Sequence, residues 1–529
     1  MRSILHSRRF LSLALVGLLG VGCHSAGKVT PATTQAVTQR ELMLQTDLLS
    51  ILNRLESTGA VCGARVIDAR TGRELFALNS ERAMIPASNM KLPITAAILD
   101  RFGPDYAWPT RLAYDSKTQS LWLVGTGDPS LGDELLEERN KQKRFAFLDT
   151  FASALKEKGV TNITNLYFVD DAFDAQLVHP SWGKDNLTFW YAAPVSGLNV
   201  NSNCIDVTLK PAAISEPPTV VVEPAVMSGI EIVNRAVSGT PEPVSSTPTS
   251  STQASSTQVS STQVSSTQAS SNQATERQPE PDIERDPAAA RYTVTGVVTK
   301  PVLLSSKPVT DPGVFTAEVV RTGLSTRGIV FSGVTSRRTS MEFKKAKVPV
   351  VVEVSSRMSD IVARVNQQSQ NLFAEACAKL LGRKSFSSND TGSWQGGAEG
   401  VEKFLSKYKI DGTGFVMADG SGLSRENRVT GRLITGILLA MHKSKHAKVF
   451  EESLAVGGES GTIRNRFKDV PGRVRAKTGF IGGVRSLSGY VTTDAGEILI
   501  FSFIYNQVPG SVKPYEELQD QAVRRLMKW

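Results

Sequence analysis

The sequence is poor in cysteine. Its four, Cys23, Cys62, Cys204 and Cys377, have neither metal-ligand nor C-x-x-C spacing, so they point to no zinc site and no dithiol redox pair. Cys377 falls in a helical pattern and reads as a core residue. A Cys62–Cys204 bridge is left open. Long hydrophobic runs are also missing: the longest candidate, residues 10–21, is too short to span a bilayer. There is no basic block either. The net charge of +9 is spread along the chain, which argues against nucleic acid and for a mild attraction to anionic envelope polymers.

What is present begins with a leader. Arg2, Arg8 and Arg9 precede the apolar run, and Gly20-Val21-Gly22-Cys23 closes it, as in an export signal. Cys23 is a candidate lipidation site, although Gly20 stands where a lipobox usually carries Leu. A plain cleaved signal is the alternative. Small polar residues over 24–40 read as a tether. From Ser250 to Ala274 a five-residue unit, SSTQA and close variants, repeats five times, and acidic and proline-rich residues follow to about 287. Such composition buries no core and is expected to be disordered. Removing 245–285 is therefore expected to leave activity and thermal stability nearly unchanged.

Periodicity and turn residues lay out the rest. A helix is expected over 41–57, then strands at 61–68 and 74–78 around Arg70-Thr71-Gly72-Arg73. A helix starts at Ser88 and runs to about 102, with a kink expected at Pro93, which lacks a backbone donor. Strands at 121–127 and 166–170 flank a helix at 145–158. Short strands follow within 205–235 and at 291–299, then a helix at 317–328 and strands at 329–331 and 348–354. Ser359-Asp360 caps a helix to 366, and a second helix, 371–381, is closed by Gly382. Helices at 399–407 and 432–442 flank the polar loop 419–425. Strands at 473–478, 484–493 and 498–505 and a helix at 514–529 end the chain. The early hairpin and the three last strands are expected to share one antiparallel sheet, covered by the two terminal helices.

Three short motifs carry chemistry. Ser88 and Lys91 stand one helical turn apart, so a lysine with a lowered pKa can take the serine proton. The helix N-terminus favours the negative charge that develops. The same spacing at Ser153/Lys156 and Ser181/Lys184 shows how little this motif says alone. Ser369-Gln370-Asn371 falls at a break between helices, where Ser369 can relay a proton and Asn371 can hold a substrate amide or the lysine. Ordinary helix capping is the plain alternative. Lys477-Thr478-Gly479, read as a strand end, offers a cation and a hydroxyl to a carboxylate and leaves the strand open to a peptide. A strand end before a turn is its alternative. In this order the three form the set of penicillin-binding proteins and class A β-lactamases.

The stretches PASNMKL, SQNLFAE, DGSGLSRENRVT and AKTGF resemble the class C low-molecular-mass penicillin-binding proteins, the D-alanyl-D-alanine carboxypeptidases and endopeptidases of the bacterial periplasm. The long separation of Ser88 from Ser369 points the same way, because in this family two domains are inserted there, one nested in the other. Segments 170–173, 193–203 and 311–333 look like parts of them. Gln370 departs from the family's usual Asp. The resemblance implies an α+β fold: a penicillin-binding-protein/β-lactamase-like transpeptidase domain, its antiparallel sheet covered by helices, with two nested inserted domains. The expected division is a signal at 1–23, a tether at 24–40, a peptidase domain at 41–105 and 341–529, and an inserted domain at 106–200 and 300–340. A nested β-rich domain follows at 201–240 and 288–299, with the repeat tract at 241–287.

The resemblance also implies the chemistry. The substrate is a peptidoglycan stem peptide ending in D-Ala-D-Ala, or a D-Ala–diaminopimelate cross-link, and β-lactams acylate the same serine. Lys91 deprotonates Ser88, Ser369 passes a proton to the leaving amine, and Asn371 holds Lys91 and the substrate. Lys477 and Thr478 bind the terminal carboxylate beside Gly479, and the N–H groups of Ser88 and Phe480 form the oxyanion hole. No metal or cofactor is required, nucleic acid is not a partner, and membrane contact is only through a lipid at Cys23 of an exported, periplasmic protein. Arg425 and Asp170 are candidates for gripping the free carboxylate and amine of diaminopimelate, or else structural ion pairs. Three other readings stay open. One is a β-lactamase-like hydrolase or esterase. Another is a silent peptidoglycan-binding protein, which has no need of an intact Ser88, Lys91, Ser369, Asn371 and Lys477. The last is an export-linked structural protein that uses the repeats.

Overall fold

The computed structural model describes residues 38–240, 278–383 and 390–529. The leader, Cys23, nearly all of the tether and the pentapeptide repeats lie outside them. The chain's two ends build one sheet, as expected. Its strands run in the order Ala455–Val456, Val474–Ile481, Val484–Thr492, Ile498–Asn506, Val61–Asp68, Glu74–Leu78. All neighbours are antiparallel. Both faces are buried, so the period of two sorts apolar residues between two cores. Leu499, Phe501, Phe503 and Tyr505 join Cys62, Ala64 and Val66 under the terminal helices Gln39–Leu52 and Lys513–Met527. Ile500 and Ile504 face the other way, onto a layer of helices that includes Lys91–Phe102 and Asn371–Gly382.

The first helix begins at Thr38 with a capping box to Glu41 and stops at Leu52, shorter than its periodicity suggests; Glu56–Thr58 forms a separate 3₁₀ turn. Pro93 produces no interior kink. It is the third residue of Lys91–Phe102, within the first turn, where its absent N–H removes no helical bond. The helix expected from Ser359-Asp360 starts at Met358, with no side-chain cap. Gly382 lies inside its helix, and the chain leaves through Arg383 in an extended conformation instead of a left-handed cap. The Trp394–Lys407 helix begins before 399 because Ser393 caps it, accepting from Gly396 N–H.

The inserted part hangs from a second sheet, ordered Thr335–Arg338, Leu166–Val169, Ser120–Val124, Ala107–Asp115, Val350–Arg357. Entry and exit strands are paired, Ala107 against Arg357. The chain therefore leaves the insert beside the point where it entered, and the return to the helical core comes at Met358 rather than at 341. Beyond this sheet, Cys204–Lys210 pairs with Thr219–Glu223, Val302–Leu303 and Lys307–Pro308. Apolar residues from both levels of insertion, such as Leu121, Phe151, Ile205 and Tyr292, form one continuous cluster. Cys62 lies in the core under the terminal helices and Cys204 on a strand of the insert; both are buried free thiols, so the bridge left open by the sequence is not made.

One expectation fails in an informative way. The charged stretch Asp282–Asp286, read as part of a disordered tract, is a strand in a three-stranded sheet with Arg291–Thr295 and Glu231–Asn234. Its alternate residues Ile283 and Arg285 point inward, and the Arg285 guanidinium is spent on the carbonyls of Leu187 and Val309. A deletion reaching 285 removes that strand. Ile283 is 1% exposed. Ile283→Ala is expected to cut the opening free energy of this hairpin by about 2–5 kcal/mol. Amide hydrogen exchange over 291–295 reads the change; unaltered protection would put Ile283 outside the core.

Candidate active site

The Ser88 turn is held from three sides. Ile85 exchanges two hydrogen bonds with the Asn506 side chain, at 2.8 and 2.9 Å. The Pro86 carbonyl accepts from Ser486 Oγ at 2.8 Å, and buried Asn89 donates to Ser488 Oγ at 2.7 Å. Ala87 sits in the left-handed region at φ 47°. Residues 87–90 form a 3₁₀ turn, and the α-helix begins only at Lys91. Ser88 is half-buried at the tip, with the fully buried Lys91 side chain behind it.

The surroundings of Lys91 Nζ define the site. Ser88 Oγ lies at 3.0 Å, Asn371 Oδ1 at 2.7 Å and the Ser421 carbonyl at 2.6 Å. Asn371 Nδ2 donates to the Tyr191 carbonyl at 2.8 Å, which settles which end of the amide faces Lys91. Two of the three neighbours can only accept. A charged ammonium would donate to all three, Ser88 Oγ included; a neutral amine would give its two N–H groups to the pair of acceptors and keep a lone pair for the Ser88 hydroxyl. Burial holds the Lys91 pKa down to about 7, against the opposing pull of Glu375 and Asp419. The pairs Ser153/Lys156 and Ser181/Lys184 lack this setting: Lys156 and Lys184 are exposed.

Ser369 and Asn371 stand at the break between Met358–Gln367 and Asn371–Gly382, with Ser369 at φ 60°. Ser369 Oγ accepts from Lys477 Nζ at 2.8 Å. Burial, then the charges of Lys91 and Arg485, hold the Lys477 pKa well below the usual lysine range. The Lys-Thr-Gly stretch is not a strand end. The strand continues to Ile481 and turns at Gly482-Gly483. Gly479 has a different task from the one expected. A Cβ there would lie 2.2 Å from Ser486 Oγ, 2.8 Å from the Pro86 carbonyl and 3.0 Å from Ser88 N, so glycine lets the Ser88 turn rest on the strand. Thr478 Oγ1 reaches Thr462 Oγ1 at 2.9 Å.

Phe480 pairs with Arg485 one step inside the closing pair Ile481–Val484. In a two-residue hairpin that step is a non-hydrogen-bonded pair, so the N–H of Phe480 points to the outer edge. The neighbouring strand covers that edge only at Arg475 and Ala476, leaving it open at Phe480. Arg425 is exposed and donates to the Gly482 carbonyl, which places its guanidinium at the end of this edge. Asp170 is elsewhere. Its carboxylate is bound by Arg337 at 3.1 Å and by Ser196 Oγ at 3.3 Å inside the insert. The expectation that it binds a substrate amine is corrected: its charge is already used.

The insert meets the site through residues that were not anticipated. Besides the Tyr191 carbonyl, Trp182 Nε1 donates to Asp419 at 2.8 Å, Ser181 Oγ to Ser424 Oγ at 2.6 Å, and Gln370 Nε2 to Ser202 Oγ at 3.2 Å. The aromatic cluster Phe189-Trp190-Tyr191 in an otherwise polar loop was the available signal.

The sequence matches the family described as D-Ala-D-Ala carboxypeptidase 3 (S13) over residues 44–260 and 243–528. The chain belongs to this family. It is thus a serine peptidase of the D-alanyl-D-alanine carboxypeptidase class that acts on peptidoglycan. It is 30% identical to the D-alanyl-D-alanine carboxypeptidase of Actinomadura sp. (strain R39), over 95% of this chain and 88% of that one. The penicillin-sensitive carboxypeptidase A of Dictyostelium discoideum is 25% identical, over 86% of this chain and 84% of that one. The crystal structure of penicillin binding protein 4 from Haemophilus influenzae shares the fold, with TM-score 0.69, 21% identity and coverage of 92% of this chain and 99% of that one. Among the described residues no helix is long and apolar enough to cross a membrane.

The contact at Gly479 gives a direct check. Gly479→Ala is expected to cost about 1–3 kcal/mol through overpacking, and to slow acylation by a reporter penicillin far more than it lowers the melting temperature. Unchanged acylation would mean that the Ser88 turn does not depend on that contact.

Proposed function

We propose that the protein is an exported enzyme in which Ser88 forms the acyl-enzyme and Lys91 is its base, and that it hydrolyses both D-Ala-D-Ala ends and D-Ala–diaminopimelate cross-links of peptidoglycan. The observation that carries the reading is the setting of Lys91: a fully buried amine 3.0 Å from Ser88 Oγ, held there by the Asn371 side chain and the Ser421 carbonyl. A lysine near pKa 7 is an effective base at neutral pH.

The steps follow from the positions. An extended peptide lies along the open edge of Val474–Ile481. Its terminal carboxylate meets Lys477 and Thr478. Ser88 Oγ attacks the penultimate carbonyl as its proton passes to Lys91. The N–H groups of Ser88 and Phe480 receive the oxyanion. Ser369, bonded to Lys477 at 2.8 Å, hands a proton to the departing amine. Water then releases the acyl group. β-Lactams enter as acylating mimics of the same peptide; a penicillin binding protein 4 relative has been crystallised with one. Cleavage of cross-links is the finer part of the reading. Arg425, at the end of the edge, suits the free carboxylate of a diaminopimelate side chain.

Three outcomes are expected. Labelled penicillin attaches at Ser88 by peptide mass spectrometry, and Ser88→Ala abolishes the adduct in a folded protein; an adduct elsewhere, or none, contradicts the mechanism. Purified muropeptides yield D-alanine from pentapeptides and monomers from cross-linked dimers, and intact dimers would remove the endopeptidase part. Arg425→Ala is expected to lower kcat/KM on diaminopimelate peptides by roughly 10- to 100-fold, while barely changing acylation by a small β-lactam. Equal losses would make Arg425 a support of the Gly482 turn instead.

A further inference from the structure

Behind Lys91 lies a carboxylate that the reaction does not use directly. Glu375 is in the second turn of Asn371–Gly382 and is fully buried. It accepts the N–H of Gly420 and of Ser421, each at 2.8 Å, and the indole N–H of Trp394 at 2.6 Å. None of these donors is a cation. Lys379, one turn along, is directed away to Asp174 and to the Gln176 carbonyl, at 2.6 Å each. A buried carboxylate without an ion partner costs several kcal/mol, and an amide in its place would turn an NH₂ group toward one of the donors.

The loop it grips explains the position. From the other side Asp419 accepts Gly422 N–H at 2.8 Å and Ser424 N–H at 2.6 Å. The amides of 420, 421, 422 and 424 thus converge on two carboxylates, and the Ser421 carbonyl is turned out to Lys91 at 2.6 Å. Gly422 packs on the Ala87 carbonyl so closely that a Cβ would come within 1.8 Å of it. The loop is the wall against which both Ser88 and Lys91 are set.

We propose that Glu375 is a positioning residue for Lys91, pinning the Gly420–Ser421 peptide so that the Ser421 carbonyl holds the amine against Ser88, and placing beside that amine a carboxylate that favours its protonated form when ionised. This rests on Lys91 acting as the base. The charged groups around the pair come from four elements. Lys91 faces Glu375, Asp419 and Lys477; Glu375 faces Asp419 and Lys379; Asp419 also faces His179. The signs are opposed. Burial lowers the proton affinity of Lys91, and Glu375 and then Asp419 raise it; burial, with the charge of Asp419, also pushes the Glu375 carboxyl up to about 7, against the hydrogen bonds it accepts, so it acts on Lys91 where it is ionised. Taking away the Glu375 charge therefore lets Lys91 lose its proton at lower pH.

The test compares the pH profile of the second-order rate of acylation by a reporter β-lactam in the wild type, Glu375→Gln and Trp394→Phe. Glu375→Gln is expected to slow acylation by roughly 10- to 100-fold and to move the midpoint of the acid limb down by roughly one pH unit. Trp394→Phe removes a donor from the same carboxylate, weakening its charge, and moves the limb the same way by less. If Glu375→Gln does not fold, Trp394→Phe decides alone. A uniform loss of rate with the limb unmoved in the folded variants, or an unchanged profile, overturns the proposal. Failure of the parent reading looks different, since the wild type would then carry no adduct on Ser88 at any pH.

Discussion

The site depends on one buried amine. Lys91 Nζ has three oxygen neighbours within 3.0 Å and no exposed surface. A charged ammonium there would be held far from water, close to the equally buried amine of Lys477. A neutral amine satisfies both acceptors and keeps a lone pair for Ser88. Each of the three neighbours comes from a different part of the chain: Ser88 from the turn one step before the helix, Asn371 from the helix break, Ser421 from the glycine-rich loop. The fold brings these three pieces to one nitrogen.

This requirement accounts for features that look unrelated. The main sheet is buried on both faces, so Val474–Ile481 offers a rigid strand, and Gly479 lets the Ser88 turn rest directly on it. Ser369 holds a left-handed backbone at the helix break, where its hydroxyl meets Lys477. The insert takes part as well, because the Tyr191 carbonyl orients Asn371 and the Trp182 indole holds Asp419. An insertion that leaves beside its point of entry can be added without disturbing the sheet. Here it has also become part of the framework of the site.

Much of this was legible in the sequence. The hairpin at 61–78, the last three strands and the terminal helices follow from apolar runs, helical spacing and turn residues, although the first helix ends earlier than its pattern suggests. Ser88, Lys91, Ser369, Asn371 and Lys477 come from short motifs whose order limits coincidence. What was missed involves contacts between distant segments or charges with two possible uses. Asp170 at a strand end looks the same whether it faces a cleft or Arg337, and only tertiary structure distinguishes them. Asp282–Asp286 reads as a solvated charged stretch because Arg285, although inward, is satisfied by carbonyls that are distant in sequence. Glu375 sits on a helix with no local sign that two amides of a loop 45 residues away converge on it. Trp182 and Tyr191 lie in irregular chain, where periodicity says nothing.

The central claim is that a large fraction of Lys91 is uncharged near neutral pH while it touches Ser88. The most direct measurement is a titration of the lysine ¹³Cε signals by NMR, with the Lys91 resonance identified by its loss in Lys91→Arg. A midpoint near pH 7 is the expected result. A midpoint at pH 10 or above, the range of an ordinary lysine at about 10.4, would mean that the amine is charged when the hydroxyl must be activated, and would contradict the account.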